Sequence, residues 1–114
     1  MPRCTIKLAE NKYVEWSTIV DAPVTYIQTR EEHAEHLRNE YGRSYEHEIE
    51  PRLKRADERG ASWQMGGSTG DETIRGNRAG PGESKITKEQ ILEMYVDEDS
   101  YNRAEAVAKN VGKQ

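Results

Sequence analysis

The chain contains no phenylalanine, a single cysteine, and no apolar run near the roughly 18 residues that a membrane span needs. One cysteine, Cys4, excludes an internal disulfide and a cysteine-built structural zinc site. With no signal peptide to read, the expectation is a soluble, cytoplasmic protein. Aliphatic residues are scarce as well. Four Leu, seven Ile and six Val make 17 of 114 residues, under the roughly one fifth below which disorder becomes a live alternative. A core this small suggests completion by a second copy, so a homo-oligomer is expected.

The absences extend to chemistry. No G-x-S-x-G elbow is present, and "MGGSTGDET" lacks the lysine of a phosphate-binding P-loop. "HAEH" places His33 and His36 three residues apart, but it is neither zinc-protease helix signature, and its charged surroundings predict a solvated helix face. These readings lead to a non-enzymatic protein with no metal and no cofactor. A net charge of −4 disfavours nucleic acid as a partner. The one basic run, "PRLKRADER", holds Arg52, Lys54, Arg55 and Arg59, but Asp57 and Glu58 dilute it.

What is present reads as one α+β domain, residues 1–114. Cys4, Ile6 and Leu8 alternate with Thr5 and Lys7; Val14, Trp16 and Thr18 alternate with Tyr13, Glu15 and Ser17. This period of two predicts a β-hairpin around Ala9-Glu10-Asn11, with Cys4 a buried small side chain. From Thr18 to Val20 the pattern turns continuous, predicting a strand end covered on both faces. Asp21-Ala22-Pro23 then stops it, and Val24 to Ile27 is an edge strand or an extended lead. The N-terminal unit thus spans 3–27.

Two helices are predicted over 30–59. Thr29 with Glu32 is a capping box for a helix from Arg30 to Tyr41, closed by Gly42. Pro51, favourable at a first helical position, opens a second that runs to Arg59 and ends at Gly60. Residues 60–85 form a long loop with seven of the nine glycines, its part around Met65–Asp71 read as mobile. Over 88–111, Thr87 and Gln90 cap a helix from Lys88 to about Val96, and Ser100 caps a last one from Tyr101, with Ala104, Val107 and Val111 on one face. The expectation is a small antiparallel sheet packed by three to four short helices.

One part of the loop, "IRGNRAGPGES", mixes cations, an amide and turn glycines. Arg75 and Arg78 suit phosphate oxygens through their planar forks, and Asn77 can read a base or ribose edge. A pocket between the "WSTIVD" strand end and "GNRAG" would then be built from Trp16, Thr18, Asp21, Arg75, Asn77 and Arg78, with Trp16 stacking on or walling the ligand. The competing reading makes Asp21 a turn former and pairs the two arginines with acids.

"YVEWSTIVDAPVT" before the capped "TREE" helix, and "GNRAGP" before "IT-x-E-x-I", resemble a group of small tailed-bacteriophage proteins with no established activity. The resemblance implies a product of the infected bacterial cytoplasm, an accessory factor against host defence. One class of such factors sequesters phosphorylated nucleotide signals, and with the pocket above this makes a binder of a small phosphorylated ligand the expected function. The alternative is an inhibitor or interaction module that sets its acidic helices and Gly-rich loop against a host protein.

Overall fold

In a computed structural model the structure describes residues 3–64 and 67–112, with side chains to 108. Two strands, β1 (Arg3–Ala9) and β2 (Lys12–Ser17), pair antiparallel in the register Cys4↔Trp16, Thr5↔Glu15 and Ile6↔Val14. Asn11 closes the hairpin at φ 54°, a left-handed conformation that asparagine tolerates. A two-residue strand, β3 (Ala22–Pro23), joins the far end of β2, giving the order β1-β2-β3. Pro23 is tolerated there because β3 lies at the sheet edge. The chain then leads outward and touches β2 again where Gln28 and Tyr13 exchange backbone bonds. On the other side of the sheet, Gly60 and Ser62 bond the backbone of Lys7 and Thr5, so residues 60–62 cover the edge of β1.

Five α-helices follow among the described residues: α1 (Arg30–Tyr41), α2 (Glu46–Arg59), α3 (Gly70–Arg75), α4 (Lys88–Met94) and α5 (Glu98–Gly112). The α+β class is as expected, and α1 has the predicted bounds, with both halves of the Thr29/Glu32 box formed. Asn11 Oδ1 accepts from Arg30 N at 2.8 Å, so the hairpin turn helps to cap α1.

Four expectations are corrected. First, α2 begins at Glu46, with Pro51 inside it. The proline is exposed, and the turn upstream of it buries Ile49, which continues the stripe of Leu53 and Ala56. That burial offsets the missing backbone bond. Second, Asp97 rather than Ser100 caps α5, its Oδ1 accepting from Ser100 N at 2.7 Å. The predicted face of this helix includes Val111, whose side chain lies outside the described residues. Third, the loop contains α3, with its own capping box from Thr69 and Glu72. Gly60 and Gly70 meet backbone to backbone, and a Cβ on Gly70 would lie 2.7 Å from the Gly60 carbonyl oxygen. Met65 lies outside the described residues. Fourth, Thr18 to Val20 is an exposed turn, with Ile19 71% and Val20 43% exposed.

The sheet is covered on both faces by its own chain. Cys4, Ile6, Leu8, Val14 and Trp16 pack against Ile74 of α3, Ile91 and Met94 of α4, and Ala79. The opposite face carries Tyr13, packed on Leu37 of α1 and on Ile49, Leu53 and Ala56 of α2. The three-layer arrangement uses both faces of a small sheet, although Ile19, Val20, Val24, Val96 and Val107 of the 17 aliphatic residues stay exposed. Among the described residues no helix is long and apolar enough to cross a membrane.

Candidate functional site

Asp21 and Arg78 do converge. Asp21 has φ 53° at the end of the 18–21 turn, and its carbonyl accepts from Arg78 N at 2.8 Å. Its carboxylate lies 3.5 Å from Arg78 Nε, in a half-exposed pair, worth up to about 1 kcal/mol. Asp21 is therefore both the turn former and the partner that ties the strand end to the "GNRAG" segment.

Beside this pair runs an open groove of about 500 Å³, whose walls include Val24, Tyr26, Arg78, Glu83, Tyr101 and Glu105. Tyr95 builds its floor: the phenol donates to the Ala79 carbonyl at 2.7 Å, its own carbonyl accepts from Ile27 N, and its ring meets Tyr101 edge-on. Burial holds the Tyr95 phenol well above its usual pKa, so it stays a neutral donor.

The other candidates are placed elsewhere. Trp16 is fully enclosed in the core, with no surface left for a ligand to stack on. Asn77 is buried, and its amide is fully used. Nδ2 donates to the carbonyls of Ile74 and Ile86, and Oδ1 accepts from Ala79 N and Ile86 N. Those four bonds organise the 74–86 segment and leave nothing for a base edge. Arg75 is exposed in the last turn of α3 and lines a separate depression with Lys85 and Lys88. Thr18 is exposed in the turn itself. Of the six predicted residues, the structure brings Asp21 and Arg78 together at the groove.

Sequence reading missed a polar constellation between the sheet and the α1–α2 pair. Glu15, which alternates with Val14 and Trp16 along β2, is fully buried and paired with Arg52 of α2. Arg52 also donates from Nε to Thr5 Oγ1 at 2.8 Å and from Nη1 to Tyr45 at 3.0 Å. Thr5 Oγ1 lies 2.9 Å from His33 Nε2, and His33 Nδ1 lies 2.8 Å from Gln28 Oε1. Because Arg52 only donates, the Thr5 hydroxyl donates to His33 Nε2, which leaves the ring proton on Nδ1 facing Gln28. This hydroxyl–imidazole–amide chain has the order of a nucleophile, base and orienting group. It is shut off from solvent, however, since Thr5 and His33 are both fully buried. It holds α1 and α2 on the sheet.

The expectation of a solvated "HAEH" face is therefore corrected for His33, which turns into the interior; His36 is part-buried, 3.7 Å from Glu15. Among the described residues no group of three or more His, Cys, Asp or Glu is placed to hold a metal ion. Burial pushes the Cys4 thiol up to about 12, which keeps it protonated and unreactive in the fold.

Burial, aided by the charges of His36 and Arg52, lowers the pKa of His33 from its ordinary 6.5 to about 3. The unfolded chain binds this proton near 6.5 and the folded chain only near 3, so acidification through that window favours unfolding. Urea midpoints at a series of pH values should show His33 contributing a loss of up to about 1.4 kcal/mol per pH unit below its unfolded pKa. His33→Gln, which does not titrate, should give a flatter profile whatever its absolute stability. An unaltered slope would contradict the assignment.

No family model, curated protein or solved structure matches this chain. Its function is accordingly argued from the groove.

Proposed function

We propose that this protein is a non-enzymatic interaction module, which docks a segment of a partner protein in the groove beside the 18–21 turn. One observation carries this reading. Six large hydrophobic side chains stand exposed among the described residues; three of them, Val20, Val24 and Tyr26, line the groove, and a fourth, Ile19, precedes them in the 18–21 turn. Neighbouring exposed apolar side chains beside a groove, rimmed by polar residues, are the form a docking surface takes. The rim carries Arg78 together with Glu83 and Glu105. Charges of both signs around an apolar floor complement a peptide with one large apolar side chain flanked by an acid and a base. The resemblance to small phage proteins makes that partner a host protein in the infected bacterial cytoplasm, and the role an accessory one against host defence.

A second reading is favoured by the Asp21–Arg78 convergence. Asp21 engages Arg78 at Nε, so the terminal nitrogens of the guanidinium are turned to a phosphate, while Tyr26 and Tyr101 flank a base. The ligand would be a small phosphorylated nucleotide signal, sequestered rather than converted. A single cation beside two carboxylates suits a multiply charged phosphate less well than a peptide, which places this reading second.

Selection of displayed peptides against the folded protein discriminates the two. The expected result is enrichment of peptides with an apolar anchor and binding lost in Val24→Asp. A thermal shift with cyclic di- or trinucleotides or cyclic ADP-ribose isomers, abolished in Arg78→Ala, would instead support the nucleotide reading. Self-association at micromolar concentration that Val24→Asp abolishes would assign the groove to a second copy of this chain.

A further inference from the structure

A second cavity, of about 290 Å³, opens on the far side of the sheet between α2 and the segment that follows it. Its lining includes Arg3, Arg52 and Arg55, with Tyr45, Trp63 and Glu48. Three guanidiniums around one small cavity repel each other, and such an arrangement is offset by acids or by a bound anion. The acids account for part of it, and one of them, Glu48, stands in the lining itself. Arg52 is neutralised by buried Glu15, and Arg3 lies 3.7 Å from Glu40. Arg55 has no such partner: among the described residues no carboxylate lies within salt-bridge distance of it, in a chain with 21 acids.

The guanidinium of Arg55 is nonetheless fixed in place. Its Nε donates to the Ser62 carbonyl at 2.8 Å, and Ser62 is bonded to Thr5 of β1 through both its backbone N–H and its hydroxyl. The four hydrogens on the terminal nitrogens are left for an acceptor, in the fork that matches a carboxylate or phosphate. Trp63 is likewise oriented, its indole N–H donating to Thr73 Oγ1 at 3.1 Å, and it is half-buried. A charged fork and a flat ring are thus each oriented by a hydrogen bond before any ligand arrives, which lowers the cost of binding. Arg52, with three of its five N–H groups engaged, backs the site.

We infer that this cavity is a binding site for a small aromatic oxyanion, a phosphate or carboxylate attached to a planar ring, with Arg55 holding the oxyanion and Trp63 the ring. The volume lies at the lower end for ligand pockets and limits the occupant to about one ring and one anionic group. The site lies apart from the Tyr26–Arg78 groove and stands independently of the function proposed for it.

Titration of the intact protein with phenyl phosphate, benzoate and inorganic phosphate, followed by tryptophan fluorescence, tests it. Trp16 is enclosed, so a ligand at this cavity reports through Trp63. The expected result is a saturable change with phenyl phosphate or benzoate, and the stronger of the two identifies the oxyanion. Inorganic phosphate should bind more weakly than either ring-bearing probe. Arg55→Gln should weaken binding about tenfold or more, the worth of a charge-assisted bond pair. Arg3→Gln, at a half-buried position at the start of β1, should weaken it less, and Arg78→Ala not at all. No saturation with either ring-bearing probe would overturn the inference. So would equal affinity in wild type, Arg55→Gln and Arg3→Gln, or a loss confined to Arg78→Ala.

Discussion

Arg52→Met is expected to destabilise the fold by about 3–5 kcal/mol, because it strands Glu15 as an uncompensated charge in the interior. Glu15 is fully buried on β2, and its named partners are Arg52, Tyr41 and the nearby His36. Burial works against the Arg52 charge, yet Glu15 and the Tyr45 hydroxyl outweigh it, and the net direction of its pKa is up. A loss of this size is a large share of the roughly 5–15 kcal/mol that holds a domain together, so the variant should unfold at a markedly lower urea concentration. The double variant Glu15→Gln/Arg52→Met should recover much of the loss, since it removes both charges. Urea unfolding of the three proteins measures this. A stability of Arg52→Met within about 0.5 kcal/mol of wild type, the range of ordinary surface changes, would contradict the buried pair.

The second large effect concerns a residue first read as a ligand contact. Asn77→Ala should cost about 3 kcal/mol, as four hydrogen bonds, two buried and two part-buried, disappear at roughly 0.5–1.5 kcal/mol each with partial rescue by water. Asn77→Asp keeps the acceptor for the amides of Ala79 and Ile86 but loses both donors to the carbonyls of Ile74 and Ile86. The oxygen that replaces Nδ2 would face those two carbonyls, acceptor against acceptor in a buried site, so Asn77→Asp should lose at least as much as Asn77→Ala. Both variants should also weaken any ligand of the groove, because Asn77 fixes the segment that presents Arg78. A thermal midpoint unchanged in Asn77→Ala would return Asn77 to the surface role that its neighbours in the sequence suggested.

The elements that could be read in advance are those with local causes. Capping boxes at Thr29 and Thr87, the Asn11 turn and the two-residue alternation each depend on neighbours within four positions. The Thr69/Glu72 box has the same local form, but the glycines around it made the stretch read as loop. The buried polar layer could not be read this way. Alternation shows that Thr5, Glu15 and Ser17 share a face; it does not show whether water or a helix covers that face. The partner, Arg52, lies 37 residues downstream of Glu15 inside a run that looks solvated. The site was half legible for the same reason. Asp21 and Arg78 meet through the turn chemistry of Asp21 and a backbone bond, whereas Trp16 followed the alternation inward to the apolar face.

The central claim, that the face from Ile19 to Tyr26 is the working surface, is tested most directly by photo-crosslinking in bacterial cytoplasm. A benzophenone side chain would be placed at Val24, and at Glu89 of α4 as an exposed control. The account predicts one discrete crosslinked protein from position 24, absent at position 89 and lost when an anchor-bearing peptide from the selection is added in excess. The same crosslinked species at both positions, or none at position 24, would contradict it.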